Sequence, residues 1–293
     1  MAELETSTRR ALLRTAVSRL ERAGVEHPRR NAEWMLAEVL GCSRAALYAH
    51  PKREVASDHR AQFQRMLDRR SDHEPLQYIL GYEEFFGLRL RVTSSVLIPR
   101  PETEEVVEEA LCRLEEIDRP RVLDVGTGSG CIALAIQHER PDAVVYACDV
   151  SPDALAVARH NAEAHGADVH FFQTDVLSDS LADHVDAPLD LIISNPPYIP
   201  DAEAPMLPVD VRDHEPGTAL FTGSDALRFY RAIARQAPVF LGPGRWLVFE
   251  THAHYAEGVG ELLRTSGATA VEVKNDLSGR ARIAIARYHP VPS

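Results

Sequence analysis

Asp190-Leu-Ile-Ile-Ser-Asn-Pro-Pro-Tyr-Ile199 leaves the surrounding chain few ways to fold. Leu191, Ile192 and Ile193 form a short apolar run of the kind buried on both faces of a parallel sheet. Pro196 and Pro197 lack a backbone N–H and have φ fixed, so a strand entering them must stop. Asn195, just before them, is pushed into an extended conformation. The result is a stiff corner at the carboxyl end of a strand, where open α/β sheets bind their ligands. An amide (Asn195) and an aromatic ring (Tyr198) stand on that corner.

The flanking chain supplies the rest of such a sheet. Residues 121–293 alternate between β-like and helical periods. Strands are expected over 122–125, 144–148, 169–172, 189–194, 245–250, 271–274 and 283–287, with helices between them, for example over 153–165 and 224–236. This is the signature of a doubly wound α/β sheet of about seven strands with helices on both faces. Residues 1–75 read instead as a bundle of short helices, with Leu13, Val17 and Leu20 repeating at helical spacing in the first. Helices this short are marginal alone and must pack together. Over 76–95 the period changes to an alternation of Leu88, Leu90 and Val92 with Arg89 and Arg91, and residues 82–86 can supply a partner strand. We read this stretch as a β-hairpin joint leading to a catalytic domain over 96–293. The segment 200–221, rich in Pro and Asp, is expected to be an irregular loop over the site.

Composition narrows the function classes. No run of about 18 apolar residues exists, and the first residues lack the layout of a signal peptide, so neither a membrane span nor export is expected. The four cysteines, Cys42, Cys112, Cys131 and Cys148, contain no C-x-x-C pair and read as buried, reduced thiols of a cytoplasmic protein. A net charge of −12 argues against a protein that holds nucleic acid chiefly by neutralising phosphates. The pairs Arg29-Arg30 and Arg69-Arg70 read as solvated faces. His252 and His254 form an H-x-H in a turn, with no accompanying ligand spacing, and read as a solvated loop and not a metal site.

Asn195 offers one acceptor and two donors, and the Pro196 carbonyl is a second acceptor held by a rigid ring. Two such acceptors can grip both hydrogens of a planar amino group while Tyr198 stacks behind it. The whole string resembles the catalytic motif of enzymes that methylate planar nitrogens with S-adenosylmethionine. Upstream, Gly126, Gly128 and Gly130 let the backbone approach a ligand where a Cβ would collide. Asp149 closes the next strand, as expected of a carboxylate accepting ribose hydroxyls, although a helix-capping role before Pro152 fits the same position. Asp175 closes the third and could meet an adenine amino group. Glycine turn, Asp149, Asp175 and Asn-Pro-Pro-Tyr thus arrive in order at successive strand ends, an order that looks like the class I S-adenosylmethionine-dependent methyltransferases.

The resemblance narrows further. Pro75-Leu-Gln-Tyr-Ile-Leu-Gly81, Phe86-Gly87, Val96-Leu-Ile-Pro-Arg-Pro-Glu-Thr-Glu104, Gly126-Thr-Gly-Ser-Gly130, Asn195-Pro-Pro-Tyr198, Asp210-Val-Arg212 with Glu215-Pro216, and Asp276-Leu-Ser-Gly-Arg280 together resemble the PrmC (HemK) family of peptide chain release factor glutamine methyltransferases. The resemblance implies that Gly126, Thr127, Gly128, Ser129, Gly130 and Asp149 bind S-adenosylmethionine, with Asp175 and Val176 at its adenine, where some members carry Trp at the latter position. Asn195 would contact both cofactor and substrate, and Asn195, Pro196, Pro197 and Tyr198 would hold the glutamine of a Gly-Gly-Gln motif in class 1 release factors. It further implies S-adenosylhomocysteine as product and a monomeric enzyme whose helical domain recognises the release factor; a one-step displacement needs no catalytic metal, and the acidic balance argues against a direct nucleic-acid partner. Phe249-Glu-Thr-His252 departs from the family's usual Glu-Ile-Gly or Glu-His-Gly. The rival readings are a DNA adenine or RNA guanine amino-methyltransferase, which can share Asn-Pro-Pro-Tyr, and a cofactor-binding adapter without catalysis.

Overall fold

A computed structural model describes residues 8–179, 181, 184, 185 and 188–288. The chain divides into two compact units, one of residues up to Gly81 together with Pro208–His214, the other of Tyr82–Leu207 and Glu215 onward.

The first unit is helical: α1 (Arg9–Arg22), α2 (Pro28–Val39), α3 (Arg44–Ala49), α4 (Ser57–Ser71) and α5 (Leu76–Leu80). Its core joins Leu12, Ala16 and Leu20 of α1 to Met35 and Leu36 of α2 and Phe63 and Leu67 of α4. The buried stripe of α1 therefore differs from the one expected, since Leu13 and Val17 only flank it. Ala16 is small enough to let a neighbouring helix approach closely, which a stripe centred on Val17 would not permit. Helix α5 falls in the stretch assigned to the hairpin joint. Arg70 departs most from expectation. It is not solvated but buried, donating to Asn31 Oδ1 at 2.8 Å and to the Glu74 carbonyl at 2.9 Å, with Asp210 at 3.6 Å.

In the second unit, β1 (Tyr82–Phe85) and β2 (Leu88–Arg91) form an antiparallel hairpin. Its two-residue turn places Phe86 at φ +50° and Gly87 at φ +76°, the left-handed pair that matches strand twist. The strained Phe86 N–H is held by the Glu104 carboxylate at 2.7 Å. The hairpin's inner residues, Phe85, Leu88 and Leu90, join the core of this unit, and Asn161 grips both backbone groups of Arg91.

Then follow α6 (Pro101–Leu114), β3 (Arg121–Val125), α7 (Cys131–Glu139), β4 (Val144–Asp149), α8 (Pro152–His165), β5 (Val169–Gln173) and β6 (Leu189–Ser194). Next are a 3-10 turn (Asp201–Met206), α9 (Val209–His214, counted with the first unit), α10 (Gly217–Leu220), α11 (Arg228–Phe240), β7 (Leu241–Glu250), α12 (Ala256–Thr265), β8 (Ala270–Asn275) and β9 (Ala281–Tyr288). Among the described residues seven strands form one sheet in the order β5-β4-β3-β6-β7-β9-β8, parallel except for β9, which runs antiparallel to both neighbours. The sheet is the doubly wound one expected.

Strand β6 is central, and its side chains alternate between two cores as strand geometry requires. Leu191 and Ile193 pack with Val106, Val107, Ala110, Ile132 and Ile136. Ile192 packs on the other face with Tyr230, Ile233 and Leu263.

Two further stretches differ from the sequence reading. Residues 201–220 form short helical turns because Pro200, Pro208 and Pro216 stand just before their first residues, where a missing N–H is harmless. Helix α11 begins at Arg228 instead of residue 224, since Asp225 makes a turn by accepting from the N–H groups of Leu227 and Arg228. Among the cysteines, Cys148 is buried but Cys112 is exposed on the outer side of α6, against the expectation of four buried thiols. All four are free. Among the described residues no helix is long and apolar enough to cross a membrane.

The turn from β3 to α7 carries one tight constraint. Gly130 sits at φ +84°, and a Cβ there would lie 3.3 Å from both Ala158 Cβ and Leu134 Cδ1. Gly130→Ala should therefore destabilise the protein by about 1–2 kcal/mol from backbone strain, with crowding against α8 in addition. Urea unfolding followed by circular dichroism checks this, and an unchanged midpoint would contradict it. Arg70→Ala should cost about 2–4 kcal/mol, since it removes two charged hydrogen bonds from a buried site. A change below about 1 kcal/mol in the same measurement would show that the buried guanidinium is not holding the helices.

Candidate active site

Parallel strands β4, β3, β6 and β7 bring their carboxyl ends to one edge of the sheet; β4, β6 and β7 end in the polar residues Asp149, Ser194 and Glu250, and β3 runs into the glycine turn. At the end of β3 the backbone N–H groups of Gly126 and Thr127 both donate to the Cys148 carbonyl at 2.9 Å, fixing the glycine turn to β4. Asp124 lies wholly buried beneath this turn and accepts from Thr127 Oγ1 at 2.6 Å. Burial pushes its carboxyl up to about 7, against the pull of that hydrogen bond.

Asp149, the last residue of β4, accepts from Gly128 N and Ser151 N, each at 2.9 Å. Burial raises its pKa although these N–H groups act in the other direction. Each oxygen keeps acceptor capacity beyond its one bond. Ser151, not Asp149, caps α8, its hydroxyl accepting from Ala154 N. Asp175 closes its own turn, accepting from Leu177 N at 2.9 Å and Ser178 Oγ at 3.2 Å.

Gly126, Thr127, Gly128, Ser129, Asp149, Asp175, Val176, Asn195, Pro196 and Pro197 line one cavity of about 300 Å³. Two expected members stand outside that lining. Gly130 faces α8, where its missing side chain permits helix packing. The Tyr198 ring packs behind the corner, 5.6 Å between centroids from His252, and burial raises its phenol above the ordinary range. His252 is accordingly half-buried among Tyr198, His254 and Tyr255, not the solvated residue expected from its turn. Burial holds its imidazole below the usual value. Among the described residues no group of three His, Cys, Asp or Glu side chains could hold a metal ion.

The corner itself is held from below. Ser194 Oγ donates to the Val125 carbonyl at 2.6 Å, tying the end of β6 to β3. Beyond it, Ile199 N donates to the Leu220 carbonyl and Thr222 N to the Ile199 carbonyl, each at 3.0 Å, closing the base of the segment between them. Arg100 reaches the buried Glu215 carboxylate at 2.5 Å. Asn195 Nδ2 donates to Thr103 Oγ1 at 3.3 Å, and Thr103 Oγ1 donates to Glu250 Oε2 at 2.6 Å. Glu250 ends β7, is 2% exposed, and is pushed up to about 7 by burial, with Thr103 and Arg282 acting against that shift.

Thr103 and Glu250 are the residues that sequence reading passed over. A signal for Glu250 existed, a lone acid ending the apolar run Leu247-Val-Phe249, the same pattern that singles out Asp149. Thr103 carried no comparable mark beyond its place in the Pro99-to-Glu104 string. Chemically, the site presents an electronegative lip around a cavity with a fixed carboxamide on its rim, suited to a cationic or electrophilic small molecule meeting a planar polar group.

Known proteins agree with this architecture. Residues 11–81 match the PrmC N-terminal domain and residues 109–207 the methyltransferase small domain. A release factor glutamine methyltransferase of Geobacter sulfurreducens is 44% identical over 90% of this chain and 91% of its own. The release factor glutamine methyltransferase of Chlorobaculum tepidum is 43% identical, over 90% and 92%. In fold, the chain is similar to a human methyltransferase 10 domain containing protein, with a TM-score of 0.51, 18% identity, and 71% of this chain and 90% of that one covered. With such identity sustained along nearly its whole length, the chain belongs to the release factor glutamine methyltransferase family.

Proposed function

We propose that this protein methylates the side-chain amide nitrogen of the glutamine in the Gly-Gly-Gln motif of class 1 peptide chain release factors, with S-adenosylmethionine as donor. The observation that carries the reading is Asn195, which lines the cavity with its Nδ2 already engaged on Thr103, so that its oxygen is left to accept from a substrate. A glutamine carboxamide presents two N–H groups and needs acceptors.

The cavity's donor and acceptor set fits the cofactor. The backbone of Gly126 to Ser129 would approach its polar portion, Asp149 would accept from its ribose hydroxyls, and Asp175 and Val176 would stand at its adenine. When bound, S-adenosylmethionine supplies an electrophilic methyl group on a sulfonium. The protein's own contribution is to bind and orient. Asn195 Oδ1 and the Pro196 carbonyl accept the two N–H groups of the substrate amide and hold its nitrogen toward the donor. Orientation matters because that nitrogen's lone pair is conjugated with its carbonyl, and alignment at roughly 3–3.5 Å removes much of the entropic part of the barrier. Acceptors fixed in advance also stabilise positive charge growing on the nitrogen. No base is required before attack, since the proton can leave afterwards. Tyr198 stiffens the corner from behind, through its packing on His252.

In this reading the helical unit recognises the release factor, and the enzyme acts as a monomer in the cytoplasm. An amino-methyltransferase of DNA or RNA is disfavoured by the net charge of −12.

Incubation with methyl-labelled cofactor and either a release factor or nucleic acid tests this. Label on the Gly-Gly-Gln glutamine is the expected result, and label in DNA or RNA alone would overturn it. Two variants should divide the site. Asn195→Ala should lower kcat about 100- to 1,000-fold while cofactor affinity measured by calorimetry stays within about threefold. Asp149→Ala should instead weaken cofactor binding about 10- to 100-fold, as expected for losing hydrogen bonds to a charged acceptor. Equal effects of both variants on cofactor affinity would contradict the division.

A further inference from the structure

Resting on the reading of Asn195 as an acceptor for the substrate amide, we propose that Thr103 and Glu250 are positioning residues that lock the Asn195 carboxamide in its accepting orientation. A carboxamide is nearly symmetric in shape, and packing alone does not distinguish its oxygen from its nitrogen. Flipped, Asn195 would present N–H groups to a substrate that also presents N–H groups, and the grip would be lost.

Hydrogen bonding decides the orientation. A threonine hydroxyl has one proton. At 2.6 Å from Glu250 Oε2, the Thr103 proton is committed to the carboxylate, leaving only lone pairs toward Asn195. Asn195 must then turn its Nδ2 to Thr103 Oγ1, 3.3 Å away. A flipped Asn195 would set Oδ1 against a hydroxyl oxygen with no proton to offer. Thr103 is 2% exposed, so water does not readily rescue the mismatch.

The chain starts at a group that can change sign. A protonated Glu250 can itself donate to Thr103, and the Thr103 proton is then free to turn toward Asn195 Oδ1. Glu250 is faced by Thr103 from α6, by Arg282 from β9, by Arg100 and Glu102 at the start of α6, by Tyr198 after β6, and by Cys131 of α7, whose thiol burial pushes up to about 12. Tyr230 of α11 donates at 3.0 Å to the Glu250 backbone carbonyl, not to its side chain. Arg282 is held above its ordinary value and stays charged around neutrality, and burial raises the Tyr198 phenol so that it stays neutral there. Glu250 itself is lifted by burial to about 7. Acidification through that range adds a proton to Glu250 and reverses the chain, so turnover is supported above the range and lost below it.

The test compares wild type, Thr103→Val, Thr103→Ser and Glu250→Gln. For Thr103→Val we expect kcat to fall on the order of 100-fold, with KM for release factor and cofactor affinity within about threefold. Thr103→Ser should restore most of the rate. Wild-type kcat should drop below pH about 7, and Glu250→Gln should lose that limb of the profile. A second readout needs neither cofactor nor substrate. The Asn195 side-chain amide signals in a ¹⁵N spectrum, assigned by their absence in Asn195→Ala, should shift on acidification in wild type and in Thr103→Ser but not in Thr103→Val. Near-normal turnover of Thr103→Val, Thr103→Ser as impaired as Thr103→Val, or amide signals indifferent to pH would each overturn the proposal. A wild-type enzyme that left release factor unlabelled would overturn the functional reading instead, and the amide signals would still decide this one.

Discussion

Everything at the sheet edge depends on a strand that is not allowed to continue. β6 is the central strand, apolar on both faces, and it meets Pro196 where another residue would have extended the ladder. Because the stop is covalent, the chain leaves the sheet at a set place and the Asn195 amide is carried on stiff backbone. The Ser194 hydroxyl, bonded to the Val125 carbonyl of the adjacent strand, keeps the end of β6 level with the glycine turn. The two halves of the site, turn and corner, are thus held together before any ligand arrives, which is what orientation-based catalysis requires.

The string from Pro99 to Glu105 performs a comparable service from the other side. Its residues diverge from the start of one helix to several elements: Arg100 to Glu215, Thr103 to Glu250 and Asn195, Glu104 to the turn of the hairpin, and Glu105 to the turn after β8. Acidic side chains are favoured at a helix N-terminus. Here two of them also accept from backbone N–H groups of distant turns, and the geometry of the helix start is transmitted to loops otherwise far apart in sequence. A motif that reads as a sequence signature is, in the fold, a junction.

What could be read from the residues alone follows from which interactions are local. Proline stops, glycine turns and the two-residue period of buried strands are written in short windows, so the seven strands and the corner were legible. The stripe of α1 was misplaced because Leu12–Ala16–Leu20 and Leu13–Val17–Leu20 are neighbouring faces, and only the approach of other helices selects between them. Arg70 looked solvated because a charge pair in a helix usually is, and its partners Asn31 and Asp210 lie far away in the chain. His252 failed for the same reason, since the ring that covers it belongs to Tyr198. The residues that line the cavity carry marks in short windows of sequence, whereas Thr103 carries none and the lone acid Glu250 acquires its partner only when the fold sets the two 2.6 Å apart.

A poor nucleophile explains why such rigidity is present. An amide nitrogen cannot be made reactive by simple deprotonation near neutral pH, so the protein must gain its advantage from placement and field. Both demand that the acceptors not rotate or exchange with water during the encounter. A carboxamide on a flexible loop would lose this, since its oxygen and nitrogen interchange with little steric cost. Mounting it directly before two prolines removes backbone freedom, and bonding its nitrogen to a buried hydroxyl removes the remaining rotation. The burial that raises Glu250 toward neutrality also keeps water from competing for Thr103, so the orientation and its sensitivity to pH arise from one cause.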